Sequence, residues 1–203
     1  MPEEVESKRK RVPRFAALLV LLIAQGSWCG ASWAREPPVS SKYGTDISCC
    51  GHGRLPPGLT PHSGIDFTGK FGDDVIAPAD GVVTAVHSTD QQGCGNGITI
   101  HHQKFERYTF YCHLQDVKVR PYEVVKRGQP IGSLGDSGVA GNCRRTVGAC
   151  PIVHFELSMS SRGSFRAQQG VTFNPAEFIV GCFDPNKTYA EDKLVLTYPV
   201  RCK

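Results

Sequence analysis

Pro151-Ile152-Val153-His154-Phe155-Glu156-Leu157, read as an extended segment, sends successive side chains to opposite faces. Ile152, His154 and Glu156 then share one face, and Val153, Phe155 and Leu157 the other. The wholly apolar face belongs in a core. His154 and Glu156 are left facing a cleft, a pattern that a purely structural strand does not need. The same texture of short apolar runs broken by Gly, Pro and Asp extends on both sides of this stretch. It recurs at Val75-Ile76-Ala77, Gly81 to Val86, Gly97 to Ile100, Tyr108 to Cys112 and Pro130 to Leu134. Close spacing of such runs, with no long helical pattern between them, predicts a mainly β chain built as a compact antiparallel sheet domain. Asn174 to Ile179 has the composition of one short helical turn, and Lys193 to Tyr198 is a further strand candidate.

At 203 residues the chain allows one domain with appendages. Phe15 to Ala24 is apolar, follows the basic residues Lys8, Arg9, Lys10, Arg11 and Arg14, and is followed by a small-residue exit at Ser32-Trp33-Ala34. That order predicts a secretory signal over residues 1–34, an uncleaved anchor being the competing reading. Without it the formal charge falls from +4 to +2, which leaves no basic patch suited to nucleic acid. Of nine cysteines, eight then remain, an even set that reads as disulfides formed in the periplasm or outside the cell. Residues 35–61, rich in Pro, Gly, Ser and Cys, read as an irregular segment packed onto the body. The body runs over 62–181, and a tail over 182–203 is expected to be pinned by a Cys182–Cys202 bridge.

A second stretch, Pro61-His62-Ser63-Gly64-Ile65-Asp66-Phe67, supplies the partners of His154. Ser63-Gly64 disfavours a helical turn, so His62 and Asp66 are expected on a loop running into a strand. Two imidazoles and one carboxylate, His62, Asp66 and His154, form the ligand set that a catalytic Zn²⁺ prefers, with a fourth position left for water. His113, after an apolar segment, could end a strand; beside a zinc-bound water it would be a general base or an oxyanion donor. Other candidates have plainer readings. Cys49-Cys50-Gly51-His52 resembles half a metal site but is expected to be disulfide-paired, and His101-His102 are expected at the surface. Gly95 and Gly97 around Asn96 read as a turn signal, and the glycines from Gly132 to Gly141 lack a phosphate-loop lysine, so nucleotide binding is not supported.

Taken in order, several motifs carry a resemblance. They are His62-Ser-Gly-Ile-Asp66-Phe, Ala77-Pro-Ala-Asp-Gly81-Val-Val, Gly95-Asn-Gly-Ile-Thr-Ile, Tyr111-Cys-His113-Leu, Lys126-Arg-Gly128-Gln-Pro-Ile-Gly132, Gly135-Asp-Ser-Gly138 and His154-Phe-Glu156. From about His62 to Ile179 the chain resembles the M23 metallopeptidases of the lysostaphin and LytM type. The resemblance implies an antiparallel β fold with a long open groove and a zinc endopeptidase that cuts peptide bonds in bacterial peptidoglycan. It also implies His62, Asp66 and His154 as zinc ligands and His113 as one of two catalytic histidines. The second would stand two residues before the last ligand, where this chain has Ile152. An isoleucine can neither orient water nor stabilise an oxyanion, and losing one such group costs on the order of 10²-fold to 10³-fold in rate. The loop from Val139 to Pro151 is longer than the family's usual one, is expected to be closed by Cys143 and Cys150, and carries Arg144 and Arg145 as candidate positive charge.

Overall fold

The β-branched and aromatic runs fold as strands because such side chains pack well on a pleated, half-buried surface. The computed structural model describes residues 39–44, 62–89, 93–140, 151–161 and 171–202. Its strands are β1 (Val39–Ser41), β2 (Ile65–Thr68), β3 (Asp74–Ile76), β4 (Gly81–Thr89), β5 (Gly95–His102), β6 (Arg107–Leu114), β7 (Asp116–Val117), β8 (Val124–Val125), β9 (Pro130–Ser133), β10 (Ile152–Ser158) and β11 (Thr172–Phe173). The main sheet runs β1-β2-β10-β6-β5-β4-β8, with β11 also paired to β10, and β3-β9-β7 form a smaller one. Every strand pairing in both sheets is antiparallel. The mainly β antiparallel fold is therefore as expected from the sequence.

β10 lies between β2 and β6, and all seven of its residues are buried. Its apolar face meets an aromatic core in which Phe155 packs on Phe67 and Tyr111 with ring centroids 6.3 and 5.4 Å apart. The other face is covered as well, and Glu156 is fully buried rather than facing an open cleft. Neighbours on both edges also pair its backbone groups.

Four further expectations differ from what is observed. Val39–Ser41, inside the segment expected to be irregular, forms β1 and pairs with β2. Gly95 and Gly97 lie within β5 and make no turn. A Cβ on Gly97 would stand 2.6 Å from Tyr111 O on β6, so glycine is required by close approach. His102 is buried, donating from Nδ1 to Asp80 O at 2.8 Å and accepting at Nε2 from the Thr109 hydroxyl at 2.9 Å. Lys193 to Tyr198 makes no strand, only a bridge of Leu196 to Ile179. The Cys182–Cys202 disulfide forms as expected, and a 3₁₀ turn at Pro175–Glu177 is capped by the Asn174 side chain. The expected signal segment, Cys49-Cys50-Gly51-His52, Arg144, Arg145 and the Cys143–Cys150 bridge lie outside the described residues.

Candidate metal centre

Register brings residues from distant parts of the chain together. In the β10–β2 ladder His154 stands directly opposite Asp66, so two side chains 88 residues apart begin a few ångströms from each other. His62 reaches the same place from the loop before β2. Gly64 makes that approach possible, because a Cβ there would lie 2.3 Å from Phe155 O and 2.9 Å from His154 Cε1.

The result is a triangle of donor atoms. His62 Nε2 is 3.1 Å from Asp66 Oδ1 and 2.9 Å from His154 Nδ1, and His154 Nδ1 is 2.9 Å from Asp66 Oδ1. Ligands of a tetrahedral zinc, at bonds of about 2.0–2.2 Å, sit about 3.4 Å apart. Closing that difference takes a few tenths of an ångström. All three residues are buried, and together they form a group whose ligand atoms could hold one metal ion.

Electrostatics at the triangle favour a cation. Burial alone would raise the Asp66 pKa, but contacts from His154 and His62 hold it well below the usual carboxylate range. Burial likewise opposes charge on His154, and Asp66 and Glu156 more than reverse this, lifting it to about 9. His154 Nε2 lies 3.6 Å from Glu156 Oε2, an ion-pair distance rather than a hydrogen bond. With Nδ1 turned to the triangle, this is the carboxylate-histidine-metal arrangement that orients a ligand and raises its basicity. The donor types, spacing and charge therefore fit a divalent cation.

His113 arrives by a different device. Between Asn96↔Leu114 and Ile98↔Tyr111, β6 carries one more residue than β5, a bulge at Cys112-His113. His113 has φ +67°, uncommon for a residue with a side chain. Strict alternation would turn it away from His154, since Cys112 is the residue that pairs with His154. The bulge instead brings the His113 ring to 6.3 Å from the His154 ring, edge to face. Its backbone N–H donates to Cys94 O at 2.8 Å, and the Cys94–Cys112 disulfide ties the bulge to the start of β5. Nδ1 donates to Ser137 O at 2.9 Å. Because a carbonyl only accepts, the hydrogen is on Nδ1 and the neutral ring keeps a lone pair on Nε2. Burial, helped by His154, pushes the pKa down to about 4, so the ring is neutral at neutral pH.

Ile152 shares the His154 face of β10, opposite Thr68, and is buried. The structure thus gathers His62, Asp66 and His154, sets His113 beside them and Ile152 on the adjoining site of the same strand. Sequence reading missed the buried Glu156 as the partner of His154 Nε2, although its i+2 spacing on an alternating strand was the available signal. It also missed Ser41 and Lys42, which meet His62 at Nδ1 and carry no compositional mark.

Known proteins resemble this chain in sequence and in fold. The model of peptidase family M23 matches residues 60–172. The chain is 32% identical over 143 residues to an uncharacterized metalloprotease of Haemophilus influenzae, covering 68% of this chain and 27% of that one. It is 35% identical over 104 residues to the peptidoglycan DD-endopeptidase ShyA of Vibrio cholerae, covering 51% and 22%. It therefore spans about a quarter of the length of these curated relatives. Among solved structures, the catalytic domain of lysostaphin from Staphylococcus simulans aligns over 70% of this chain and 91% of its own at a TM-score of 0.53 and 23% identity, a likeness of fold. With more than half of its residues matched in this way, the chain belongs to peptidase family M23.

Proposed function

We propose that this chain is an exported zinc-dependent endopeptidase that hydrolyses peptide cross-links of bacterial peptidoglycan. The observation that carries the reading is the buried triangle of His62 Nε2, Asp66 Oδ1 and His154 Nδ1, each pair within 3.1 Å. These are the residues assigned as zinc ligands. When bound, zinc polarises the scissile carbonyl and makes a water nucleophilic near neutral pH. His113, held neutral and with its Nε2 lone pair uncommitted to Ser137, is assigned as general base: it takes a proton from the attacking water and returns it to the leaving amine. Glu156 keeps His154 oriented through Nε2. The peptidoglycan substrate is supported by the activity named for ShyA, and export by the two disulfides among the described residues, Cys94–Cys112 and Cys182–Cys202.

Ile152 favours a second reading, a zinc-holding module that binds cell-wall peptides or a partner protein without cutting. The two separate on one experiment. Purified peptidoglycan is incubated with the zinc-loaded protein and new free amines are counted for wild type, His113→Ala and Ile152→His. Release by wild type that disappears in His113→Ala and on chelation supports the endopeptidase. No release by wild type, with release by Ile152→His, supports the binding module.

A further inference from the structure

The family match begins at residue 60, yet the segment 39–44 contacts His62 at Nδ1 and at its backbone carbonyl. In β1 a bulge between Val39 and Ser41 sets Ser41 opposite Asp66, and Ser40 Oγ donates to Asp66 O at 3.3 Å. Beyond the strand, Gly44 N–H donates to His62 O at 2.8 Å, and the Tyr43 hydroxyl donates to Thr172 O at 3.2 Å. Between these tethers the His62 ring meets two oxygens at Nδ1, Lys42 O at 2.9 Å and Ser41 Oγ at 3.1 Å.

Lys42 O can only accept, so the contact requires a hydrogen on His62 Nδ1. A neutral ring with Nδ1–H has its lone pair on Nε2, the atom that faces Asp66 and His154. Ser41, buried at 7% exposure, presents its hydroxyl oxygen to the same hydrogen. The opposite tautomer would set the Nδ1 lone pair against a carbonyl oxygen and a hydrogen inside the donor triangle.

We propose that β1 and the turn after it form a positioning element of the metal centre, in which Ser41 and the Lys42 carbonyl fix His62 as the Nδ1–H tautomer and so present Nε2 to the ion. This rests on the assignment of His62, Asp66 and His154 as metal ligands. Orienting partners of metal-bound histidines typically contribute 10-fold to 100-fold in metal affinity. Ser41 shares its task with a backbone carbonyl, so its own part belongs at the lower end.

The test uses the full chain, wild type and the variants Ser41→Ala, Ser41→Thr and His154→Ala. Zinc affinity is measured by competition with a chromophoric chelator. The His62 tautomer is read without metal from ¹⁵N correlation spectra of the histidine side chains. Expected are Nδ1–H at His62 in the zinc-free wild type, an affinity about tenfold weaker in Ser41→Ala, and recovery in Ser41→Thr, which restores the hydroxyl. A His62 that carries its hydrogen on Nε2 in the zinc-free protein overturns the proposal, as does a Ser41→Ala variant that holds zinc as tightly as wild type. If wild type binds no more zinc than His154→Ala, the ligand assignment itself has failed. The metal-free tautomer still decides what β1 does to His62.

Discussion

Gly64 is the residue on which convergence at the triangle depends. Any side chain there must displace Phe155 O or the His154 ring, both closer than 3.0 Å to the position of a Cβ. Gly64→Ala is expected to destabilise the fold by about 1–3 kcal/mol, as over-packing does, and to weaken zinc binding by pushing β10 from the His62 loop. Thermal unfolding with and without zinc separates the two effects, because the zinc-dependent gain in melting temperature should shrink as well as the baseline. Glu156→Gln keeps the size and one acceptor oxygen but exchanges the other oxygen for an NH2 donor and removes the carboxylate facing His154 Nε2. Its zinc affinity is expected to drop at least about tenfold in chelator competition, with the fold retained. At this scale the sequence was most legible: strand period turned His154 and Glu156 to one face, residue type grouped His62 and Asp66 with His154, and the resemblance in motif order singled out His113. The burial of Glu156 was not legible, because alternation tells which face a residue takes but not whether that face is covered.

The bulge in β6 is the element that aims His113. Its geometry left no trace in the sequence, since a histidine in the left-handed region looks like any other, and the extra residue shows only against the β5 register. Cys94 and Cys112 are visible in the sequence, but their pairing is not. Closing a chain separation of 18 residues, the disulfide contributes on the order of 3 kcal/mol through loop entropy. The double variant Cys94→Ala, Cys112→Ala is expected to lose about that much in urea unfolding and to release the bulge. Zinc binding should persist, since neither cysteine nor His113 belongs to the triangle, while amine release from peptidoglycan should fall toward the level of His113→Ala. Parallel loss of zinc and of hydrolysis would count against this division of labour. β1 escaped the sequence for another reason: Val39-Ser40-Ser41 is too short and polar to show a period, and only its pairing with β2 makes it a strand. The reverse holds for Lys193 to Tyr198, apolar enough to read as a strand but making one isolated bridge to the body, Leu196 to Ile179.

For the molecule as a whole, His102 links stability to acidity. Burial pushes its pKa from 6.5 down to about 4, because a charged ring would lose its hydration in the covered interior of the sheet. The folded-state value is depressed, so the unfolded chain binds the proton first: this contribution is intact above pH 6.5 and is lost as pH falls toward 4. The full loss is roughly 3 kcal/mol. In urea unfolding between pH 7.5 and 4.5, His102→Asn should be less stable at the upper end and show a flatter slope below pH 6.5. Equal slopes would mean that other groups govern the acid response.

The place of β10 between β2 and β6 also bears on how the chain comes to be made. Whether it leaves a ribosome or an export channel, β2 emerges long before β10, so the first half of the protein must wait with two sheet edges unsatisfied until residue 158 has followed. Native pairing that spans so much of the sequence closes slowly, and open edges recruit strands from other chains. A nascent chain stalled before residue 151 is thus an aggregation hazard, and the His62, Asp66 and His154 group cannot assemble until synthesis of the domain is nearly finished.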